Sequence, residues 1–176
     1  MEPRGHRLRP TTGIVREAIF NIVGDRVEGS RVLDLYAGTG ALGIEALSRG
    51  ALAATFVDAE AAAAQAILQT LSRTGMSARG RVFRGKLPGA LASVTGPFDL
   101  ILVDPPYGLE SADDTLIQLA ALLAPGGVIV YEHSSRYNPP GRPSGLTLTE
   151  RRTYGDTGVA FYTHQPATLD EQQEDA

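Results

Sequence analysis

The chain has 176 residues, 43% of them apolar, no cysteine and a net charge of −4. That composition excludes a disordered chain and any disulfide or thiolate metal site, and no apolar run nears the ~20 residues of a membrane-spanning helix. The excess of 20 acids over 16 bases lies wholly in Asp170, Glu171, Glu174 and Asp175, so the body is neutral.

The N-terminal segment is basic, with Arg4, Arg7, Arg9 and Arg16, and lacks the apolar stretch of a signal peptide. Such an arm suits nucleic acid, or is simply solvated. One cytoplasmic domain is expected over residues 1–165, with a basic arm at 1–11 and a disordered acidic tail at 166–176. From about Thr12 to Gly24 the spacing predicts a helix whose apolar face carries Ile14, Val15, Ala18, Ile19 and Ile22.

Strands are predicted at 31–36, 53–58, 81–85, 98–104 and 127–133. Between them, 41–50, 59–75, 86–94 and 111–127 have helical spacing or composition. Gly50, Gly75 and Gly126 are expected as left-handed caps after helices. A proline–glycine loop at 136–145 precedes two strands joined by a turn near Gly155–Gly158. Alternating strands and helices imply an α/β fold: a mostly parallel sheet with helices on both faces, closed by an antiparallel hairpin.

The first strand leads into "LDLYAGTGALGIEAL", in which Gly38, Gly40 and Gly43 satisfy G-x-G-x-x-G in the strand–turn–helix context of a nucleotide site. About 20 residues on, Asp58 ends the second strand, where a carboxylate can accept from both ribose hydroxyls. A dinucleotide fits these features. Asp34 does not fit one, because a strand acid beside the loop repels a pyrophosphate. It suits a ligand with an ammonium group, or orders the loop by accepting its amide hydrogens. S-adenosylmethionine carries a sulfonium, an amino-acid end and a ribose, and accounts for Asp34 and Asp58 together.

The fourth strand ends in "DPPY". Methyl transfer to an amine is an in-line displacement, and the lone pair of a nucleobase amine is delocalised into its ring. Two acceptors aimed at the amine hydrogens fix the nitrogen in line and free that lone pair. The Asp104 carboxylate and the Pro105 carbonyl supply them, with Pro105 and Pro106 holding the backbone rigid and Tyr107 stacking on the base. The acid also stabilises the positive charge developing on nitrogen. No metal is needed. Glu132 and His133 end the fifth strand near this site.

Together, "LDLYAGTG" and "DPPY" resemble the class I S-adenosylmethionine-dependent amino-methyltransferases. With "RPTTGIVREAIFNIV", "FVD" and "RRTYGDT" in the same order, the chain from about residue 5 to 163 resembles the bacterial RsmD-type enzymes. These methylate the exocyclic N2 of one guanine, position 966, in 16S ribosomal RNA. The resemblance implies a Rossmann-like, seven-stranded sheet with helices on both faces and the last two strands as a hairpin. It implies cofactor contacts through the loop of Tyr36, Ala37, Gly38, Thr39, Gly40 and Ala41, and ribose binding at Asp58 beside Ala59.

It further implies that Thr11, Thr12 and Arg16 lie where the opening helix closes over cofactor and substrate, and that Asp104 to Tyr107 hold the target guanine. Gly13 stands where the family usually has an acid. Lys86, which cannot accept a hydrogen bond, stands where an acid or amide often reads adenine, leaving that role to backbone from Gly85 through Lys86 to Leu87. The expected partner is ribosomal RNA or an assembling small subunit, gripped by the arm and by Arg136, Arg142, Arg151 and Arg152, with the protein a monomer. Alternatives are an amino-methyltransferase acting on DNA adenine, other RNA or a protein amide, a non-catalytic cofactor- or RNA-binding protein, and a dehydrogenase.

Overall fold

The computed structural model describes residues 13–106, 108–109 and 112–167. The arm with Thr11 and Thr12, the expected base-stacking residue Tyr107 and the tail from 168 lie outside the described residues. Helix α1 (Gly13–Val23) leads to β1 (Arg31–Leu35), α2 (Ala41–Ser48), β2 (Ala53–Asp58), α3 (Ala61–Arg73), β3 (Gly80–Arg84), β4 (Phe98–Val103), α4 (Ala112–Gln118) and β5 (Leu123–Ser134). The hairpin β6 (Leu146–Tyr154) and β7 (Thr157–His164) follows. The sheet order is β3-β2-β1-β4-β5-β7-β6. Strands β1 to β5 are parallel to one another, and β7 runs antiparallel to both β5 and β6. This is the expected seven-stranded, Rossmann-like sheet.

Side-chain alternation splits the core into two layers. Val32, Ala54, Phe56, Leu100, Leu102, Val128 and Val130 pack with α1, α2 and α3. On the other face Leu33, Leu35, Val57, Ile101, Val103, Ile129 and Tyr131 pack with α4 and the segment around Leu87 and Leu91. Burial on both faces explains why these strands read as continuous apolar runs. Gly50 and Gly75 take positive φ, 96° and 71°, just past α2 and α3. The next amides reach back across the last turn, from Ala51 to the Ala46 carbonyl (3.0 Å) and from Met76 to the Leu71 carbonyl (2.8 Å), as left-handed caps require.

Three local expectations are corrected. The buried face of α1 is Val15, Ile19, Phe20 and Val23, while Ile14 is 74% exposed. Phe20, with the largest apolar area in the helix, sets the rotation. Residues 86–94 form only a 3-10 turn at Gly89–Ser93. Gly85, Pro88 and Gly89 remove helix propensity from a segment too short to nucleate without it. The helix predicted at 111–127 stops at Gln118, tightens into a 3-10 turn at Leu119–Ala121, and yields Leu123 to the sheet opposite Phe98. Gly126, with φ 75°, therefore lies inside β5, where the register shifts between Phe98 and Leu100, and serves an irregularity of the strand rather than a helix end.

Candidate active site

The carboxyl ends of β2, β1 and β4 form one edge of the sheet at the point where strand order reverses, the place where open α/β sheets bind ligands. Leu35 stands opposite both Val57 and Val103. The next residues, Tyr36, Asp58 and Asp104, thus emerge level with one another. By alternation Asp34, Asp58 and Asp104 share the face of the α1–α3 layer.

Backbone turns build the loop after β1. Tyr36 takes φ 56°, uncommon for a residue with a side chain, and its hydroxyl hydrogen-bonds with Thr115 Oγ1 at 2.7 Å on α4. Its ring is thereby held in the α4 layer, and its peptide borders the loop. The Ala37 amide donates to the Val57 carbonyl (3.1 Å) and the Gly40 amide to the Ala37 carbonyl (2.8 Å). Gly38 and Gly40 both have positive φ, 57° and 77°. A methyl added at Gly38 would meet nothing within 4 Å, whereas one at Gly40 would lie 2.8 Å from Ile67 Cγ1 and one at Gly43 2.4 Å from Phe56 Cε1. The three glycines thus divide their work: Gly38 leaves backbone open to a ligand, and the other two let helices close onto strands. Thr39 is exposed and Ala41 half-buried.

Asp58 fastens this loop. Its Oδ2 accepts from the Gly38 amide at 2.9 Å and its Oδ1 from the Glu60 amide at 2.9 Å. Each oxygen keeps a further lone pair for a ligand hydroxyl. Asp34, 1% exposed, accepts from the Gly43 amide in the first turn of α2 at 3.0 Å. Of its two sequence readings, the structure realises the one in which it orders the loop and helix start. Burial pushes the Asp34 carboxyl well above the usual carboxylate range; the Gly43 hydrogen bond opposes this, and the charges of Asp104 and Asp58 add to it. The nearby Asp104 and Asp58 carboxylates leave this edge poorly suited to a pyrophosphate.

Asp104 continues the sheet for one residue, its amide donating to the Leu35 carbonyl at 3.4 Å. Asp104 and Pro105 are half-buried and Pro106 is exposed. Beyond Asp58, Ala59 is exposed and its carbonyl accepts from Arg84 Nε at 3.3 Å. The Gly85 amide donates to the Asp58 carbonyl at 2.9 Å. The Lys86 side chain points to solvent, and Leu87 is buried among the core of the α4 layer, so this segment offers the edge only its backbone. Arg16 lines a surface groove between α1 and α2 with Gly13, Ile14, Glu17, Glu45 and Arg49.

The later arginines divide. Arg151 donates to Asn138 Oδ1 (3.0 Å) and the Tyr137 carbonyl (2.8 Å), and Arg152 pairs with Glu150 (2.6 Å). Arg136 and Arg142 are exposed.

Sequence reasoning passed over the support behind Asp104. Asp113, in the first turn of α4, accepts from the hydroxyls of Tyr131 (3.4 Å) and Tyr137. With the Tyr36–Thr115 bond, these contacts pin α4, and so the far end of the segment that starts at Asp104, to β5 and to the loop after it. His133 faces this layer too, its ring centroid 5.7 Å from that of Tyr131 and 5.8 Å from that of Tyr137. It lies against Gly158, where a methyl would come within 2.2 Å of its ring, and burial holds its pKa down. That is a packed core histidine.

The chain matches the family described as Conserved hypothetical protein 95 over residues 1–163. It is 40% identical to the "Putative rRNA methyltransferase YlbH" of Bacillus subtilis over 164 residues, 90% of this chain and 89% of that one. It is 32% identical to "Ribosomal RNA small subunit methyltransferase D" of Escherichia coli over 165 residues, 93% of this chain and 83% of that one. Among solved structures, the "Putative methyltransferase yhhF" of Escherichia coli superimposes with a TM-score of 0.80 at 31% identity, covering 93% of this chain and 90% of that one. A conserved hypothetical protein of Streptococcus pyogenes gives a TM-score of 0.79 at 36% identity, covering 86% and 96%.

Proposed function

The chain belongs to the Conserved hypothetical protein 95 family and is an S-adenosylmethionine-dependent methyltransferase, and we propose that its acceptor is the exocyclic N2 amine of a guanine in 16S ribosomal RNA. The observation that carries this reading is the placement of Asp104 and Pro105 at the end of β4, level with Asp58 and beside the glycine loop. The small-subunit RNA substrate is supported by the names of the two relatives, and the N2 amine of guanine by the resemblance of the sequence motifs to the RsmD-type enzymes.

The residues present fit the cofactor. Gly38 leaves open backbone and Asp58 keeps lone pairs for a ribose. When bound, S-adenosylmethionine supplies an electrophilic methyl on a cationic sulfur. Tyr36 to Ala41 and Asp58 with Ala59 hold the donor on the β1–β2 side, and the Gly85–Leu87 backbone borders its adenine. Asp104 and the Pro105 carbonyl accept from the two amine hydrogens, turning the nitrogen lone pair toward the methyl. Pro106 stiffens that backbone, and Tyr107 stacks on the base. As nitrogen gains positive charge, the Asp104 carboxylate stabilises it. Thr12 and Arg16 close over the pair, while the basic arm with Arg136 and Arg142 contacts phosphate. The target base leaves its stack to enter the site. On this reading the enzyme works as a cytoplasmic monomer.

The test is transfer of radioactive methyl from S-adenosylmethionine to small subunits, assembling or mature, from cells lacking the gene. Label is expected in 16S RNA. Label confined to DNA, to other RNA or to protein would replace this acceptor with another, and binding without transfer would make the protein non-catalytic.

A further inference from the structure

The charge of the body is unevenly placed. Between Glu60 and Asp99 the chain has no acid, yet it carries Arg73, Arg79, Arg81, Arg84 and Lys86. This segment folds as α3, β3 and the turn after it, and β3 is an edge strand of the sheet. Arg79 serves the fold: its guanidinium donates to the Leu47 and Ala51 carbonyls at 3.2 and 2.8 Å. The other four are exposed, and none of them pairs with an acid among the described residues. Arg84 stands opposite Asp58 at the carboxyl edge of the sheet, and Arg81 opposite Thr55, about 10 Å back along the strand. A methyl at Gly80 would meet Leu71 at 2.5 Å, so the last turn of α3, with Arg73, lies beside the start of β3. Val82 packs with the α1–α3 layer and Phe83 with the α4 layer, so Arg84 and Arg81 flank the edge strand on its two faces. Arg84 Nε donates to the Ala59 carbonyl and Arg73 Nη2 to Thr70 Oγ1, both at 3.3 Å. Each bond steadies a side chain and leaves further guanidinium donors.

We propose that this β3 edge is a second contact surface for RNA, its cations holding phosphates of the strand that flanks the acceptor nucleotide. This rests on the functional reading above, in which the acceptor is RNA. A charge that only kept the edge strand from pairing could have either sign. An unmixed set of cations, mostly arginines whose planar forks match phosphate oxygens, suits a polyanion. The sheet order puts β4 in the middle, three strands from β3 on one side and three from β6 on the other, about 14 Å each way. An RNA whose target base stands at Asp104 therefore meets the β3 edge on the donor side, as it meets Arg136 and Arg142 beyond β5 on the other. On β6, Arg151 and Arg152 are engaged with Asn138 and Glu150, and have less to offer a phosphate than the cations of β3.

The experiment measures binding and methylation of small subunits from cells lacking the gene, and of the 16S RNA extracted from them, from about 0.05 to 0.3 M potassium chloride. It compares the native full chain with Arg73→Gln/Arg81→Gln, a pair remote from the carboxyl edge. Arg26→Gln/Arg31→Gln, at two other exposed positions, removes the same charge elsewhere. On both substrates the Arg73–Arg81 variant is expected to lower the slope of log affinity against log salt by about 1.4 to 1.8, as two lost phosphate contacts require, and to raise KM for RNA about 10-fold or more. Its kcat and its Kd for S-adenosylmethionine should stay within about 2-fold of native. Arg73→Lys/Arg81→Lys, which keeps the charges, should behave as native; if it falls as far as the glutamine pair, charge is not the cause and the proposal fails. A native slope and KM in the glutamine pair, or an equal loss in the Arg26–Arg31 pair, overturns the surface. A loss with intact subunits alone assigns the edge to a protein partner and overturns it too. Binding of the native chain without transfer refutes the functional reading, while the slopes still decide the surface. No binding to either substrate refutes both.

Discussion

The Gly38 amide donates to Asp58 Oδ2 at 2.9 Å, joining the loop after β1 to the end of β2 through one carboxylate. Because Oδ1 is fixed by the Glu60 amide, the plane of Asp58 is set before any ligand arrives. Asp58→Ala removes both anchors and the ribose acceptor. Its affinity for S-adenosylmethionine is expected to fall about 10- to 100-fold, and Asp58→Asn, keeping one acceptor oxygen, should fall between. Calorimetric titration checks this. Unchanged affinity in Asp58→Ala would remove Asp58 from the cofactor site.

Glycines of one motif should fail in different ways. At Gly43 an added methyl runs into the Phe56 ring at 2.4 Å and comes 3.1 Å from Asp34 Oδ2. Gly43→Ala is expected to cost about 1–3 kcal/mol, a melting temperature lower by roughly 2–12 °C for a chain of this size. Gly38→Ala meets no atom, so its stability cost is the left-handed backbone alone, about 1–2 kcal/mol, but its methyl enters the space left to the ligand. Melting curves should rank Gly43→Ala as the less stable variant, and cofactor titration should rank Gly38→Ala as a weak binder even where it is folded.

Asp34 makes stability depend on pH in an unusual direction. Its carboxyl is raised by burial, so the folded protein holds this proton more tightly than the unfolded chain, whose value is near 3.9. The stabilisation is complete below that value and is lost as pH rises through the folded-state value. Relative to Asp34→Asn, the cofactor-free native protein should therefore lose stability from about pH 4 upward, and the variant should be the more stable at pH 8. Denaturation midpoints of both proteins across that range test it. Parallel curves would mean that folding does not raise the Asp34 carboxyl.

Asp113 couples the segment that begins at Asp104 to the sheet. The pKa of Tyr137 is pushed up to about 12 by burial and by Asp113, and that of Tyr131 is raised by the same causes. Asp113→Ala removes the acceptor and the charge, so part of the tyrosine absorbance change on alkaline titration should move to lower pH. Freeing the two hydroxyls should cost about 1–3 kcal/mol. With α4 unpinned, turnover is expected to fall more than cofactor affinity. An unmoved tyrosine titration would show that the Asp113 contacts are not formed in solution.

The sheet was legible in the sequence because its central strands are buried on both faces and its turns are punctuated by glycine. The polarity of the hairpin and the position of every edge acid followed from those runs. What escaped was set by tertiary contact. Leu123 to Pro125 read as helix, yet pairing with the start of β4 draws them into β5. Ile14 read as buried, but Phe20 turns α1 so that Ile14 faces out. The site shows the same division. Asp34, Asp58 and Asp104 were visible as acids at strand ends, whereas the Asp113–Tyr137 contact joins elements 24 residues apart and leaves no local pattern.

The central claim is that Asp104 directs methyl transfer to the N2 amine of a 16S guanine. Mass mapping of modified nucleotides in 16S RNA tests it most directly, in cells lacking the gene and supplied with either the native chain or Asp104→Ala. One N2-methylguanine should vanish on deletion, return with the native chain and stay absent with Asp104→Ala, although that variant still binds S-adenosylmethionine. A 16S RNA whose methylguanines are unchanged by deletion, or are restored by Asp104→Ala, would contradict it.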